Sequence, residues 1–161
     1  MRAFTTYIFG LLFLNCAYYS FSGGGLPAHI RTVSVPSLEP GEAQVVVPGL
    51  EEELTEAMVD ALISETPLQV VGGGADALLE GRVVSVREDP FTYTSDERAQ
   101  QWRLRVVVHV RFEDLIKRKV LWEDEIGVWG VYGEGEGREE ALDDAKKMLA
   151  EEVVRRILGG W

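Results

Sequence analysis

Trp102-Arg103-Leu104-Arg105-Val106-Val107-Val108-His109-Val110-Arg111-Phe112 sets Trp102, Leu104, Val106, Val108, Val110 and Phe112 against Arg103, Arg105, Val107, His109 and Arg111. A period of two belongs to a β-strand, because successive side chains leave opposite sides of the pleat. The stretch therefore predicts a strand with one core face and one basic face. Glu113-Asp114 and the run Lys117-Arg118-Lys119 follow as a turn, and a second strand is expected over Val120–Val131 with Val120, Trp122, Ile126 and Val128 inward. Pairing Val110 with Trp122 puts Val106 against Ile126 and Leu104 against Val128, so the apolar faces agree. The same register sets His109 opposite Glu123 and Arg103 beside Trp129 on the outer face.

Two helices flank this hairpin in sequence. Between Leu50 and Ile63, the residues Leu50, Leu54, Ala57, Met58, Ala61 and Leu62 recur at spacings of three and four and so share one helical face. Glu51, Glu52 and Glu53 suit the positive end of its dipole, and Pro67 prevents continuation. This acid run reads as a solvated, dipole-matched face rather than a metal site. From Glu139 to Leu158, Ala141, Leu142, Ala145, Leu149, Val153 and Ile157 form a second stripe, with four-apart pairs Asp143 and Lys147, Glu151 and Arg155, Glu152 and Arg156 outside it. Gly159-Gly160 closes this helix, leaving Trp161 beyond it.

The remaining strands are shorter or less regular. Ile30–Val35 is β-branched and stopped by Pro36, and a loop with Pro40, Gly41 and Pro48 follows. Leu68–Val71 is a short strand candidate before Gly72-Gly73-Gly74. Ala75–Arg87 reads as a strand with Ala77, Leu79, Val83 and Ser85 on one side and Leu78, Val84 and Val86 on the other, Gly81 marking close packing by a helix. Asp89–Gln100 reads as a long loop with Phe91 and Tyr93 as contact residues. The expected fold class is α+β: two amphipathic helices packed on one face of a small mixed four-stranded sheet. The other sheet face, carrying Arg103, Arg105, Val107, His109, Arg111 and Trp129, is left for solvent or a partner.

Composition narrows the functions. The 161 residues carry 16 Lys plus Arg against 27 Asp plus Glu, a net charge of −11, the wrong sign for neutralising a nucleic acid. His29 and His109 stand in no metal-binding spacing, no nucleophile elbow is present, and the glycines around Glu134 and Glu136 lack the Lys-Ser/Thr of a phosphate loop. Glu123 and Glu125 alternate along a strand beside basic neighbours, where charge pairing accounts for them better than a hydrolase dyad does. No enzymatic constellation is legible.

Met1-Arg2 followed by the apolar run Ala3–Leu14 has the form of an export signal, and that run is too short to cross a bilayer core of ~30 Å. Cys16, the single cysteine, stands where the run ends and cannot form an intrachain disulfide. A cysteine directly after an export signal resembles the acylation site of bacterial lipoproteins, although Leu12-Phe13-Leu14-Asn15 departs from the usual small residues before it. That resemblance implies a signal peptide over residues 1–15, diacylglycerol and an N-acyl chain on Cys16, and a lipid-anchored tether over 16–27 that contains Gly23-Gly24-Gly25; the length of the chain then leaves a single α/β sandwich domain over 28–161. Loss of Arg2 would leave 15 basic against 27 acidic side chains, −12. Ala17 after the cysteine resembles lipoproteins sent on to the outer membrane. No cofactor beyond these acyl groups is expected.

The order of motifs along the chain resembles one family. Cys16-Ala17-Tyr18, the segment Leu26 to Pro36, the helix through Glu51, Leu54 and Thr55, and Ala75 to Gly81 with Pro90 are similar to the lipopolysaccharide-assembly lipoproteins of Gram-negative bacteria. Val120-Leu121-Trp122-Glu123, Tyr132, the acidic start of the last helix with Ala141, and Gly160-Trp161 continue the likeness. The resemblance implies a non-catalytic outer-membrane lipoprotein on the periplasmic side. Such a protein plugs the lipopolysaccharide-translocon β-barrel, helps it assemble, and assists lipopolysaccharide delivery to the outer leaflet. From the strand pattern itself, Arg103, Arg105 and Arg111, with Lys117, Arg118 and Lys119 at the hairpin tip, are the candidate contacts to the barrel wall or to lipid phosphates. Pairing of this face with Glu123 and Glu125 is the competing explanation. The alternative function is a free, lipid-anchored periplasmic module binding a small or lipidic ligand under the Phe91 and Tyr93 loop.

Overall fold

A computed structural model describes residues 25–93, 99–133 and 137–159. The export signal, Cys16, most of the tether, the tip of the 89–100 segment, Gly160 and Trp161 lie outside the described residues. The elements run β1 (Thr32–Ser34), β2 (Glu42–Ala43), α1 (Leu50–Glu65), β3 (Gln69–Val70), β4 (Ala77–Tyr93), β5 (Ala99–Asp114), β6 (Lys119–Gly133) and α2 (Arg138–Gly159). The sheet order is β3-β1-β4-β5-β6, with β2 also on β4. β1, β2 and β3 pair in parallel, whereas β4, β5 and β6 form an antiparallel meander.

The alternating stretch behaves as its pattern requires. Leu104, Val106, Val108, Val110 and Phe112 are buried beneath α1 and α2, together with Leu54, Met58, Leu62, Leu149 and Ile157 of the helices. Every residue expected on the α2 core stripe is buried. Ala61, Ala150 and Val154 meet where the helices touch, and small side chains there let the two backbones approach. On the exposed side of α2, Arg156 bonds to Glu152 at 2.7 Å and to Asp124 of β6 at 2.6 Å, while Arg155 also turns to Glu152 and Lys146 bridges Asp143 and Glu53.

Five expectations are corrected. The sheet has six strands rather than four, because residues 32–43 run beside β4 in broken pieces: Glu39 N–H donates to Gly81 O and Gln44 N–H to Val86 O. Pro36 and Pro40 interrupt this path without ending it. Gly81 accommodates that strand pair, since a Cβ there would lie 2.6 Å from His109 O and 2.8 Å from Leu38; no helix is involved.

The segment read as a loop over Asp89–Gln100 is largely strand, with β4 pairing to β5 as far as Tyr93 and Ala99. Its polar residues and Pro90 resemble a loop locally, but irregularities at Pro90 and Thr92 absorb the proline at the end of the hairpin. The β5–β6 register is displaced by two residues: Phe112 faces Trp122, Val108 faces Ile126, and Arg105 faces Trp129. A slip of two keeps every side chain on its face, so face matching alone cannot distinguish the two registers. Finally, a bulge at Val84 lies between the pairs Val83–Val108 and Ser85–Val107, so Val86 is buried in place of Ser85. It also reverses the side on which Arg87 emerges.

Candidate interaction face

The helices occupy one side of the sheet, and the opposite side of β4, β5 and β6 can be read in cross-strand rows. Glu80, Arg111 and Glu123 form one row, Arg82, His109 and Glu125 the next, then Ser85, Val107 and Gly127, then Arg87, Arg105 and Trp129, then Asp89, Arg103 and Val131. The two ends of this face differ in chemistry.

Toward the β5–β6 turn, positive charge is already matched. Arg111 meets Glu80 and Glu113 at 2.8 Å each and Glu123 at 3.7 Å, and His109 bonds to Glu123 at 3.0 Å. The hydrogen bond to Glu80 leads the group of contacts that hold the Arg111 guanidinium above its usual pKa, outweighing the effect of burial. An arginine enclosed by three carboxylates has little left to offer another anion. A shallow polar concavity of about 340 Å³ beside it is lined by Ser37, Glu39, Glu80, Arg82 and His109. Among the described residues no group of three or more His, Cys, Asp or Glu is placed to hold a metal.

At the far end the balance reverses. Arg87 and Arg105 are directly opposed across β4 and β5, and neither has an ion-pair partner among the described residues. Like charges facing across strands destabilise a sheet, and an external anion relieves that repulsion. Trp129, 45 % exposed, flanks Arg105 on β6. The Arg103 guanidinium carbon lies 5.6 Å from the ring centre of Phe91, itself 47 % exposed, and its buried Nε has no hydrogen-bond partner. Arginines interleaved with aromatic side chains are typical of the centre of a recognition surface. Arg87 was not legible as part of this patch, because only the bulge turns it outward.

Lys117, Arg118 and Lys119 form a separate feature. Their turn lies nine strand steps beyond Arg105, roughly 30 Å at ~3.3 Å per residue, with the neutralised Arg111 between. The candidate cations thus fall into three groups: Arg103 and Arg105 joined by Arg87, Arg111 alone within its carboxylates, and the tip.

The tip is held by buried Asp114. Its Oδ1 accepts the Lys117 backbone N–H at 2.9 Å, its Oδ2 lies 2.6 Å from His29 Nε2, and Leu115 N–H donates to Asp76 O. Burial alone would raise the Asp114 pKa, but the Lys117 hydrogen bond and the His29 contact outweigh it and leave the carboxyl below its ordinary value. A lowered carboxyl pKa means stability that is present above the unfolded value of ~3.9 and lost as the pH falls through the folded value. Asp114→Asn, which removes the charge and keeps an acceptor, is expected to cost about 1–3 kcal/mol near neutral pH. In urea titrations the gap from wild type should close below about pH 4. A gap independent of pH would mean the charge does not hold the turn.

Known proteins place this fold. The PelC dodecamer structure from Paraburkholderia phytofirmans superposes with a TM-score of 0.55 at 17 % identity, over 85 % of this chain and 95 % of that one. An uncharacterized lipoprotein B from Nitrosomonas europaea gives 0.54 at 16 %, over 83 % and 84 %. The hypothetical protein CT253 from Chlamydia trachomatis gives 0.51 at 10 %, over 80 % and 93 %. At such identities these likenesses establish the shared architecture alone. No curated protein matches in sequence. The family model for lipopolysaccharide assembly, LptE, matches residues 30–157, from the approach to β1 through the last turns of α2, and by that match the chain belongs to the lipopolysaccharide-assembly family.

Proposed function

We propose that this chain is a non-catalytic lipoprotein of the outer membrane, acylated at Cys16 and facing the periplasm. Its sheet face seats inside the lipopolysaccharide-translocon β-barrel. There it plugs the lumen, helps the barrel assemble and assists delivery of lipopolysaccharide to the outer leaflet. The observation that carries this reading is the unpaired Arg87–Arg105 row beside Trp129, on the side of the sheet that the helices leave open. The interior of a wide outer-membrane barrel is polar and too broad to be filled by its own side chains, so a folded domain with a charged face suits it. Arg103 and Arg105 are the proposed contacts to acidic wall residues or lipid phosphates. Arg111 contributes less, because Glu80, Glu113 and Glu123 already surround it.

Extraction of native membranes in mild detergent tests the proposal. Co-purification of one large β-barrel protein is the expected result, and mass spectrometry should find the acyl groups on Cys16. A monodisperse lone protein carrying a small ligand would instead favour a free periplasmic binding module.

A further inference from the structure

β6 closes one margin of the sheet, since it pairs with β5 alone, and the direction of its backbone groups follows from contacts on the far side of β4. Glu39 N–H donates to Gly81 O and Val83 N–H donates to Glu39 O, so Gly81 and Val83 turn their backbone groups away from β5. Along an antiparallel ladder these orientations alternate. Val110 and Val108, which face Gly81 and Val83, therefore turn toward β6, where they meet Asp124 and Ile126. Glu125, Gly127, Trp129 and Val131, of the other parity, send their N–H and C=O groups outward. Glu125 agrees, because its N–H is found on Asp124 Oδ1 at 2.8 Å.

That edge is guarded over only part of its length. Glu123, Asp124 and Glu125 put charge on the half nearer the β5–β6 turn, a common protection of an exposed strand, and β3 at the other margin has just two residues. Gly127-Val128-Trp129-Gly130-Val131 has no charge, no proline and no register shift against β5. Beside it a groove of about 210 Å³ runs between β6 and α2, with Ile126, Val128, Met148, Glu152 and Arg156 in its walls. An added strand would find room for both sets of its side chains, one entering this groove and the other standing beside Trp129.

We propose that an extended segment of the barrel protein, lying in the lumen, adds to β6 as a further strand along Gly127–Val131. The inference rests on the seating proposed above. Trp129 belongs both to this edge and to the arginine patch, so a lumen that receives the patch encloses the edge as well. Strands of a closed barrel wall already bond on both sides, so the segment is a loop or a chain end folded inward. Charge selects its composition. A net charge of −11 opposes pairing with a second copy of this chain. Glu125, with no ion-pair partner among the described residues, suits a Lys or Arg on the segment, and the groove suits aliphatic side chains.

Deuterium exchange read at single amides tests this in the full-length chain, alone and in the detergent-purified complex with its barrel protein. The Gly127, Trp129 and Val131 amides should exchange roughly 100-fold more slowly in the complex, as hydrogen-bonded N–H groups do. The Ile126 and Val128 amides, already turned to β5, should be slow in both states. Gly127→Pro deletes one outward donor and spares the β5 ladder, so it should weaken retention of the barrel protein about tenfold, whereas Gly127→Ala should not. Should the proline variant fail to fold, the exchange rates decide alone. Edge amides left unprotected while the barrel protein stays bound, or full retention by folded Gly127→Pro, would overturn the added strand and leave the seating intact. Protection that arises in the chain alone and grows with its concentration would assign the edge to a second copy and overturn the proposal. A preparation that yields no barrel protein would overturn both readings.

Discussion

Gly130→Val is expected to lower stability by about 3 kcal/mol, a fall of roughly 10 °C in Tm for a domain of this size. Gly130 lies on β6 under the first turn of α2, where a Cβ would stand 2.0 Å from Ala141 O and 2.6 Å from both Ala141 C and Cα. All three atoms are backbone, so no rotamer change relieves the clash. The helix must lift, and Ala141, Leu142 and Ala145, all buried, lift with it. Gly127→Ala is the internal control: a Cβ on Gly127 meets nothing within 4 Å, and the change should stay within about 0.5 kcal/mol of wild type. Urea denaturation of the pair distinguishes them. Equal midpoints would show that α2 does not dock on β6 at this closeness.

The paired reversal Arg87→Glu, Arg105→Glu should reduce the barrel protein recovered in mild detergent by about 100-fold, while leaving the isolated fold stable. A charge reversed against an acidic partner turns attraction into repulsion worth several kcal/mol, and 1.4 kcal/mol is tenfold in affinity. The exchanged residues face each other, so Glu opposite Glu repeats the like-charge arrangement already present and moves stability little. Reversing Arg111 is the contrasting case. It removes the partner of Glu80, Glu113 and Glu123 and should cost stability more than association. Undiminished recovery with the Arg87 and Arg105 pair reversed would take the patch out of the interface.

What the residues disclosed in advance follows from how many faces each element buries. β5 was readable residue by residue because only one of its faces meets the helices, and α1 and α2 because their stripes repeat over several turns. β4 was not, since the bulge at Val84 shifts the alternation midway and so hides the outward turn of Arg87. Asp89–Gln100 reads as a loop because its polar residues and proline carry no period, and only the neighbouring strand draws both arms into the sheet. The hairpin register was displaced because parity fixes faces and leaves even shifts free.

The candidate site was legible as a list of cations but not as a geometry. Glu80, 31 residues before Arg111, removes that arginine from the free positive charge. His29, 85 residues before Asp114, brings the amino-terminal end of the described chain to the tip. Neither contact leaves a local signature in the sequence.

The most direct test of a covered sheet face is the reactivity of a thiol placed on it. Trp129→Cys removes a half-exposed side chain outside the core and, with Cys16 acylated, supplies one free thiol beside Arg105. In isolated outer membranes a bulky, water-soluble maleimide should label this position at least tenfold more slowly than in the purified protein, because a barrel wall lies over it. Equal rates in membrane and in solution would contradict the account.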